Sequence, residues 1–483
     1  MFTIISDFYW GRKIASSSNK THKKLFLAAS VILNLSLLCY FKYAYFFTSS
    51  SNELFGTHLS YFNHFANFSN TFFGTEFRLD KLLIPIGVSF FTFQSLSYTM
   101  DIYRNKVKPV DSIFDYGFFV CFFPHLVAGP IVKANEFLYQ IYQPYNLSRI
   151  EFGMATFWIM NGFSKKIVAD YIAVNFIDRV FTSPNLYTGI EAVMAIFAYS
   201  LQVYMDFSGY TDIAIGIALL LGYRLKTNFK SPYKALSTSE FWKRWHISLS
   251  SWLQEYLYIP LGGNKNGTIG SYICIFIISV FLVLLSGKMW LLYFLIAFFL
   301  LLIFLGIIFP KFKQTINTNI NLMVTMLLGG LWHGSSWLFL IWGGLNGLGL
   351  IVHKFWQKIS PFKNTTNLGV KIILMLITLT FITFTRIYFR SPDMETVNEI
   401  FDRINNHFSL YLLLNVLEGY WVVLSFVLVG YLIHWIPEGR KEKYRFAFAN
   451  LSTPKMVLVC VIIVFCLYQI MSSEMQPFIY FQF

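Results

Sequence analysis

Charge is what this sequence has least of: only 13% of its 483 residues are Asp, Glu, Lys or Arg, and none of the four occurs between Lys313 and Lys354. That scarcity argues against an ordinary soluble domain, in which about a quarter of residues are charged. Hydrophobic residues make up 56% of the chain, and several apolar runs approach the roughly 20 residues that cross about 30 Å of hydrocarbon. Runs such as 273–285 and 291–309 do not alternate, which excludes a transmembrane barrel built from segments of about 10 residues. The reading left is an all-α, polytopic integral membrane protein with about 10–12 transmembrane or buried helices around a central cavity.

Other absences narrow the chemistry. The five cysteines (Cys39, Cys121, Cys274, Cys460, Cys466) all sit in apolar stretches, without a Cys-x-x-Cys pair or a histidine at ligand spacing. Neither a disulfide framework nor a metal site is expected. There is no Gly-x-Ser-x-Gly elbow, phosphate-binding glycine loop or dinucleotide fingerprint, so the motif rules of soluble enzymes give no purchase. No repeat, low-complexity tract or long hydrophilic segment divides the chain, and residues 1–483 read as one membrane domain. Met1–Trp10 has no basic region before it and does not read as a signal peptide; it reads as the tail of a helix whose beginning is missing.

The formal net charge of +14 would suggest nucleic acid in a soluble protein. Here the basic residues cluster between apolar runs, at 12–24, 104–108, 224–244 and 440–445, as cytoplasmic loops do under the positive-inside rule. No nucleic-acid partner is expected.

Apolar runs place candidate helices at 25–47, 82–100, 113–132, 152–176, 188–206, 209–223, 272–287, 289–309, 319–352, 369–388, 409–434 and 455–472. The stretch 319–352 exceeds one span and contains Gly329, Gly330 and Gly334, which predicts a bend or break there. Residues 49–79, polar and aromatic, read as a loop. In 237–262, Ser237 and Glu240 form a possible capping box, and Trp242, Trp245, Leu249, Leu253 and Tyr256 recur at helical spacing away from Lys243, Arg244 and Glu255. This spacing predicts an amphipathic helix at the membrane interface, ending near Pro260 and Gly262.

Near the middle of the chargeless run stands His333, in Leu331-Trp332-His333-Gly334. An ionisable group at membrane depth costs about 2–3 kcal/mol on insertion scales and marks a cavity or pathway by default. An imidazole kept neutral by burial can take a proton from a hydroxyl during acyl transfer; the plainer alternative is a hydrogen bond to a neighbouring helix. His246, in Arg244-Trp245-His246-Ile247-Ser248, could enter the same cavity, although a lone interfacial histidine is more often solvated or packed. Gln202, Asp206 and Tyr210 fall at i, i+4 and i+8 of one helix face and could form a polar track, with bracing of Asp206 and Asp212 at least as natural as catalysis. Lys165 and Lys166, after Gly162-Phe163-Ser164, read as interface markers.

These residues sit in stretches that resemble the membrane-bound O-acyltransferases, specifically the subgroup typified by the alginate O-acetylation membrane protein. The matching stretches are Leu83–Arg104 (LIPIGVSFFTFQSLSYTMDIYR), Phe122–Lys133 (FFPHLVAGPIVK), Gln202–Gly216, Asn228–Tyr233, Phe241–Asn264 with its Trp-His-Ile-Ser-Leu-Ser core, and Leu331–Trp337. The resemblance implies transfer of an acyl group, commonly acetyl, from a cytoplasmic donor such as acetyl-CoA or an acyl carrier protein toward an extracytoplasmic polysaccharide. A periplasmic or cell-surface transferase partner and residence in the cell inner membrane come with it, and no bound cofactor. It places the superfamily's characteristic histidine on His333 and the subgroup's second on His246, with Trp332, Lys243, Arg244, Asp206 and Tyr210 expected around the substrates. Two departures stand out: members usually carry one or two further apolar segments before the stretch like Ile5–Ala15, and here 272–309 adds an apolar hairpin. Acyl transfer to teichoic acid (as D-alanine), to lipid or to protein, and a polytopic transporter, are the competing readings.

Overall fold

A computed structural model describes residues 2–79, 82, 85, 87–286, 288–363, 365–471 and 476–479. Among them every regular element is a helix, as hydrocarbon requires of a backbone that must satisfy its own hydrogen bonds. Six helices are long and apolar enough to cross a membrane among the described residues: 20–55, 189–220, 289–308, 337–359, 368–390 and 453–470. Helices 410–419 and 421–435 make a bent pair at 93°. The start of candidate 82–100, at positions 83, 84 and 86, and the last residue of candidate 272–287 lie outside the described residues. The chain resolves into two compact units, one of residues 1–122, 133–141 and 252–336, the other of 123–132, 142–251 and 337–483.

The first unit gathers helices Phe2–Ser16, Lys20–Leu38 and Val88–Tyr103 around a buried polar knot. Asp7 accepts from Ser30 Oγ at 2.6 Å and from Asn34 Nδ2 at 2.8 Å, and all three are sealed from solvent. Buried polar groups persist only when bonded in this way, so the knot fixes the register of the N-terminal helices. The unit closes with Ile269–Ser286, Met289–Ile308 and Pro310–His333. The first two are apolar helices with many of their large side chains exposed, among them Phe276, Ile303 and Phe304, as suits a surface that faces lipid.

The second unit is built on Arg149–Ile172 and the 32-residue helix Gly189–Leu220. Ser148 with Glu151 and Thr188 with Glu191 form complete capping boxes at their starts, each satisfying backbone N–H groups at its helix end. The two helices meet through glycine: a Cβ on Gly162 would come within 2.5 Å of Gly209 O, and one on Gly216 within 2.7 Å of Ala155 O. Beside this seam, Lys166 pairs with Asp206 at 2.7 Å and with Asp170 at 2.7 Å, and Lys165 pairs with Asp212 at 2.6 Å.

Several expectations need correction. Candidates 188–206 and 209–223 are one helix, because Gly209 supplies close approach rather than a break. Candidate 113–132 stops at Cys121, three residues before Pro124. The 49–79 loop contains most of helix Ala44–Phe55 and all of His64–Phe73, each ended by a left-handed glycine, Gly56 and Gly74. The amphipathic helix expected over 237–262 is broken: Thr238–Arg244 and Ile247–Leu253 flank a turn at Trp245 and His246, where His246 has φ +44°. Its apolar stripe is nonetheless buried at Trp245, Leu249, Leu253 and Tyr256. The break anticipated in 319–352 is present, between helix Pro310–His333 and helix Trp337–Ile359.

Candidate functional site

His333 closes its helix, and Gly334 follows in an extended conformation at φ −160°, so the left-handed glycine that commonly caps a helix is missing. The last carbonyls of a helix still need donors. They come from a π-helical turn, Cys39–Tyr43, of the kind that often marks functional sites. Lys42 Nζ donates to Trp332 O at 2.6 Å and to His333 O at 3.2 Å, and Tyr43 Oη donates to Leu331 O at 2.6 Å. A lysine at a helix C-terminus also complements the negative end of the macrodipole. His333 is 4% exposed, with its ring edge-on to Trp332 at 5.1 Å.

Trp332 is held by aromatic packing in turn. It stacks on Phe93 at 5.3 Å, which stacks on Trp252 at 3.7 Å and an interplanar angle of 7°. Trp252 meets Tyr256 at 5.1 Å, and Tyr256 donates to Asp101 Oδ2 at 3.0 Å. Next to Tyr256, Glu255 pairs with Lys106 and, at 2.7 Å, with Lys133. Burial pushes the Glu255 carboxyl up, but the two ammonium groups outweigh it and hold the carboxyl below its ordinary value.

In the second unit His246 is fully buried in its turn. Its Nδ1 lies 3.3 Å from Asn228 Oδ1, an oxygen that also accepts from Ser248 N at 3.0 Å and Ser248 Oγ at 2.9 Å. The Ser248 N–H can only donate, which identifies that Asn228 atom as the oxygen. Nδ1 of His246 therefore carries the hydrogen, and a neutral ring has its lone pair on Nε2. Phe207 packs edge-on to the imidazole at 4.7 Å. The left-handed backbone at His246, rare for residues other than glycine, is held by Ile247 N donating to Asn228 O at 3.0 Å and Lys230 N to Arg244 O at 2.9 Å.

The other expected residues fare differently. Arg244 is tied to Glu240 at 2.7 Å and Lys243 is exposed. The polar track through Gln202, Asp206 and Tyr210 does not form as drawn: Asp206 is taken by Lys166 and by Ile479 N at 2.9 Å, and Tyr210 packs edge-on to Phe478 at 4.9 Å. Lys165, half-buried, and Lys166, buried, are partners of aspartates rather than interface markers.

Two intramembrane cations escaped the sequence reading. Lys42 is 7% exposed within the span 20–55, and Arg386 is 4% exposed within 368–390. Both carried the signal that singles out His333, an ionisable residue inside an apolar run, and each costs about 2.5–3.5 kcal/mol on insertion scales.

A sequence profile of the MBOAT, membrane-bound O-acyltransferase family, matches residues 19–309. The probable alginate O-acetylase of Pseudomonas putida is 36% identical over 351 residues, covering 72% of this chain and 59% of that protein. The peptidoglycan O-acetyltransferase of Helicobacter pylori is 32% identical over 82% of this chain and 68% of its own length. The teichoic acid D-alanyltransferase of Streptococcus thermophilus is 24% identical over 60% of this chain. The chain spans about three-fifths of the length of the alginate relatives it matches. With the profile covering more than half of its residues, this multi-pass membrane protein belongs to the membrane-bound O-acyltransferase family.

Proposed function

We propose that the protein is an O-acyltransferase of the cell inner membrane. It takes an acetyl group from a cytoplasmic thioester, acetyl-CoA or an acyl carrier protein, and moves it across the membrane for O-acetylation of an extracytoplasmic polysaccharide, with a periplasmic or cell-surface transferase as partner. Supporting the substrate class are relatives named for alginate and peptidoglycan O-acetylation. The observation that carries the reading is the His333 helix end, a buried imidazole on a broken helix whose carbonyls are taken by an intramembrane lysine and a tyrosine. Such support of the helix end suits a residue that must be held in place for proton transfer.

In this scheme the acceptor hydroxyl gives its proton to the imidazole of His333 as its oxygen attacks the thioester carbonyl. The carbon–sulfur bond breaks, the ester forms, and the proton leaves with the thiol. With the hydrogen on Nδ1, a neutral His246 has its acceptor at Nε2, which suits receiving a proton.

The test is reconstitution of the chain in proteoliposomes with labelled acetyl-CoA or acetyl-carrier protein and a polysaccharide acceptor. Acceptor-dependent release of thiol supports the assignment. D-alanyl transfer without acetyl transfer would point to the teichoic acid relative's chemistry, and solute uptake without any acyl transfer would replace an enzyme with a transporter.

A further inference from the structure

Two cations of the second unit are buried among the described residues, Lys166 and Arg386. Lys166 is neutralised by Asp206 and Asp170, and the half-buried Lys165 and Arg390 pair with Asp212 and Asp178, both at 2.6 Å. Arg386, one helical turn before Arg390, differs from Lys166: it is 4% exposed, and no carboxylate among the described residues pairs with it. Its Nη1 donates to Ser200 O at 3.2 Å and to the Tyr233 hydroxyl. The N–H groups of Nε and Nη2 have no acceptor among the described residues.

The plane of this guanidinium is fixed. It lies over the Trp245 ring at 4.4 Å, with Tyr233 at 5.3 Å and Phe241 at 5.8 Å. Tyr233 is itself anchored, its N–H donating to His434 Nε2 at 3.1 Å and its hydroxyl to Ser200 O. Aromatic faces attract a cation but leave its edges unbonded. The unused edge, Nε with Nη2, is the side-on fork that grips two oxygens of a carboxylate or phosphate at once. A charge retained at membrane depth without a protein counter-ion generally serves a substrate or ion.

We infer that Arg386 is an anion anchor whose Nε–Nη2 edge binds an oxyanion, the phosphate or carboxylate of a ligand, beside the turn that carries His246. The ring that holds the guanidinium belongs to Trp245, the residue directly before that histidine. The inference rests on the acyl-transfer reading only for the anion's source: a phosphate belongs to the thioester donor, a carboxylate to an acidic sugar of the acceptor.

The experiment needs no turnover, so its outcome is separate from that of the acyl-transfer assignment. The full chain in lipid nanodiscs is treated with phenylglyoxal, which modifies arginine, and the rates at Arg386 and at exposed Arg440 are followed by mass spectrometry with inorganic phosphate or acetate as competitor. We expect Arg386 to react and one of the two anions to slow it at least fivefold relative to Arg440, phosphate indicating the donor and acetate the acceptor. Calorimetric titration of the protecting anion should show binding at least tenfold weaker in Arg386→Gln and intermediate in Arg386→Lys, which keeps the charge and loses the fork. An Arg386 that does not react, or reacts at the same rate with either anion present, overturns the inference and leaves the residue a structural clamp on Trp245.

Discussion

Replacing Lys42 with methionine keeps the length of the side chain and removes the ammonium that caps the His333 helix. Two carbonyls, Trp332 O and His333 O, lose a donor now at 2.6 and 3.2 Å. Hydrogen bonds to a charged group contribute about 1.5–3 kcal/mol each, so the helix end loses roughly 3–6 kcal/mol of restraint. Against this, a buried ammonium no longer has to be held at membrane depth, a relief of about 2.5–3.5 kcal/mol. The two nearly offset each other in overall stability, whereas the geometry of the last turn is lost. Lys42→Met should therefore reach the membrane at close to normal abundance while kcat for acetyl transfer falls about 100-fold, the cost expected of a displacement near 1 Å at a reacting group. Donor KM should change little, since Lys42 is spent on backbone carbonyls. Tyr43→Phe removes one neutral bond of about 1 kcal/mol and should cost roughly fivefold. The assay is acetyl transfer in proteoliposomes normalised to membrane protein. A Lys42→Met enzyme within threefold of wild type would show that the cap does not position His333.

The ion pairs of the second unit and the charged cluster of the first give further expectations. Asp206→Ala strands one arm of a buried network and should destabilise the protein by about 3–5 kcal/mol, read as a lowered melting temperature in detergent, while Lys166→Met with Asp206→Leu and Asp170→Leu should recover much of the loss. Glu255 has its carboxyl held below the ordinary value in the folded state by Lys106 and Lys133. Its contribution is present above the unfolded pKa of about 4.3 and is lost as pH falls through the lower folded value. Glu255→Gln should flatten that acid limb of the stability profile, and an unchanged limb would assign it to other carboxylates.

Much of the fold could be read from the sequence because hydrocarbon leaves few options. Long chargeless runs gave the helices and Gly334 marked the break after His333, where no side chain at that position could cap the helix. Tertiary contacts decided what the sequence left ambiguous. Gly209 looked like a break and is instead the point where two helices touch, which depends on Gly162 47 positions earlier. The stripe over 237–262 kept helical spacing through His246 although the backbone turns left-handed there, because Asn228 supplies the bonds that hold the turn. Lys165 and Lys166 resembled an interface pair since their partners, Asp212 and Asp206, are remote in sequence. Lys42 and Arg386 were visible by the criterion applied to His333, that of an ionisable residue inside an apolar run.

His333 is the proposed proton acceptor. With His333→Ala and His333→Gln expressed in place of the wild-type chain, the acetyl content of the surface polysaccharide should fall by about 10² to 10⁴, the contribution of a positioned general base, with membrane abundance unchanged. Acetylation retained at the wild-type level in either variant would contradict the assignment of this histidine as the proton acceptor.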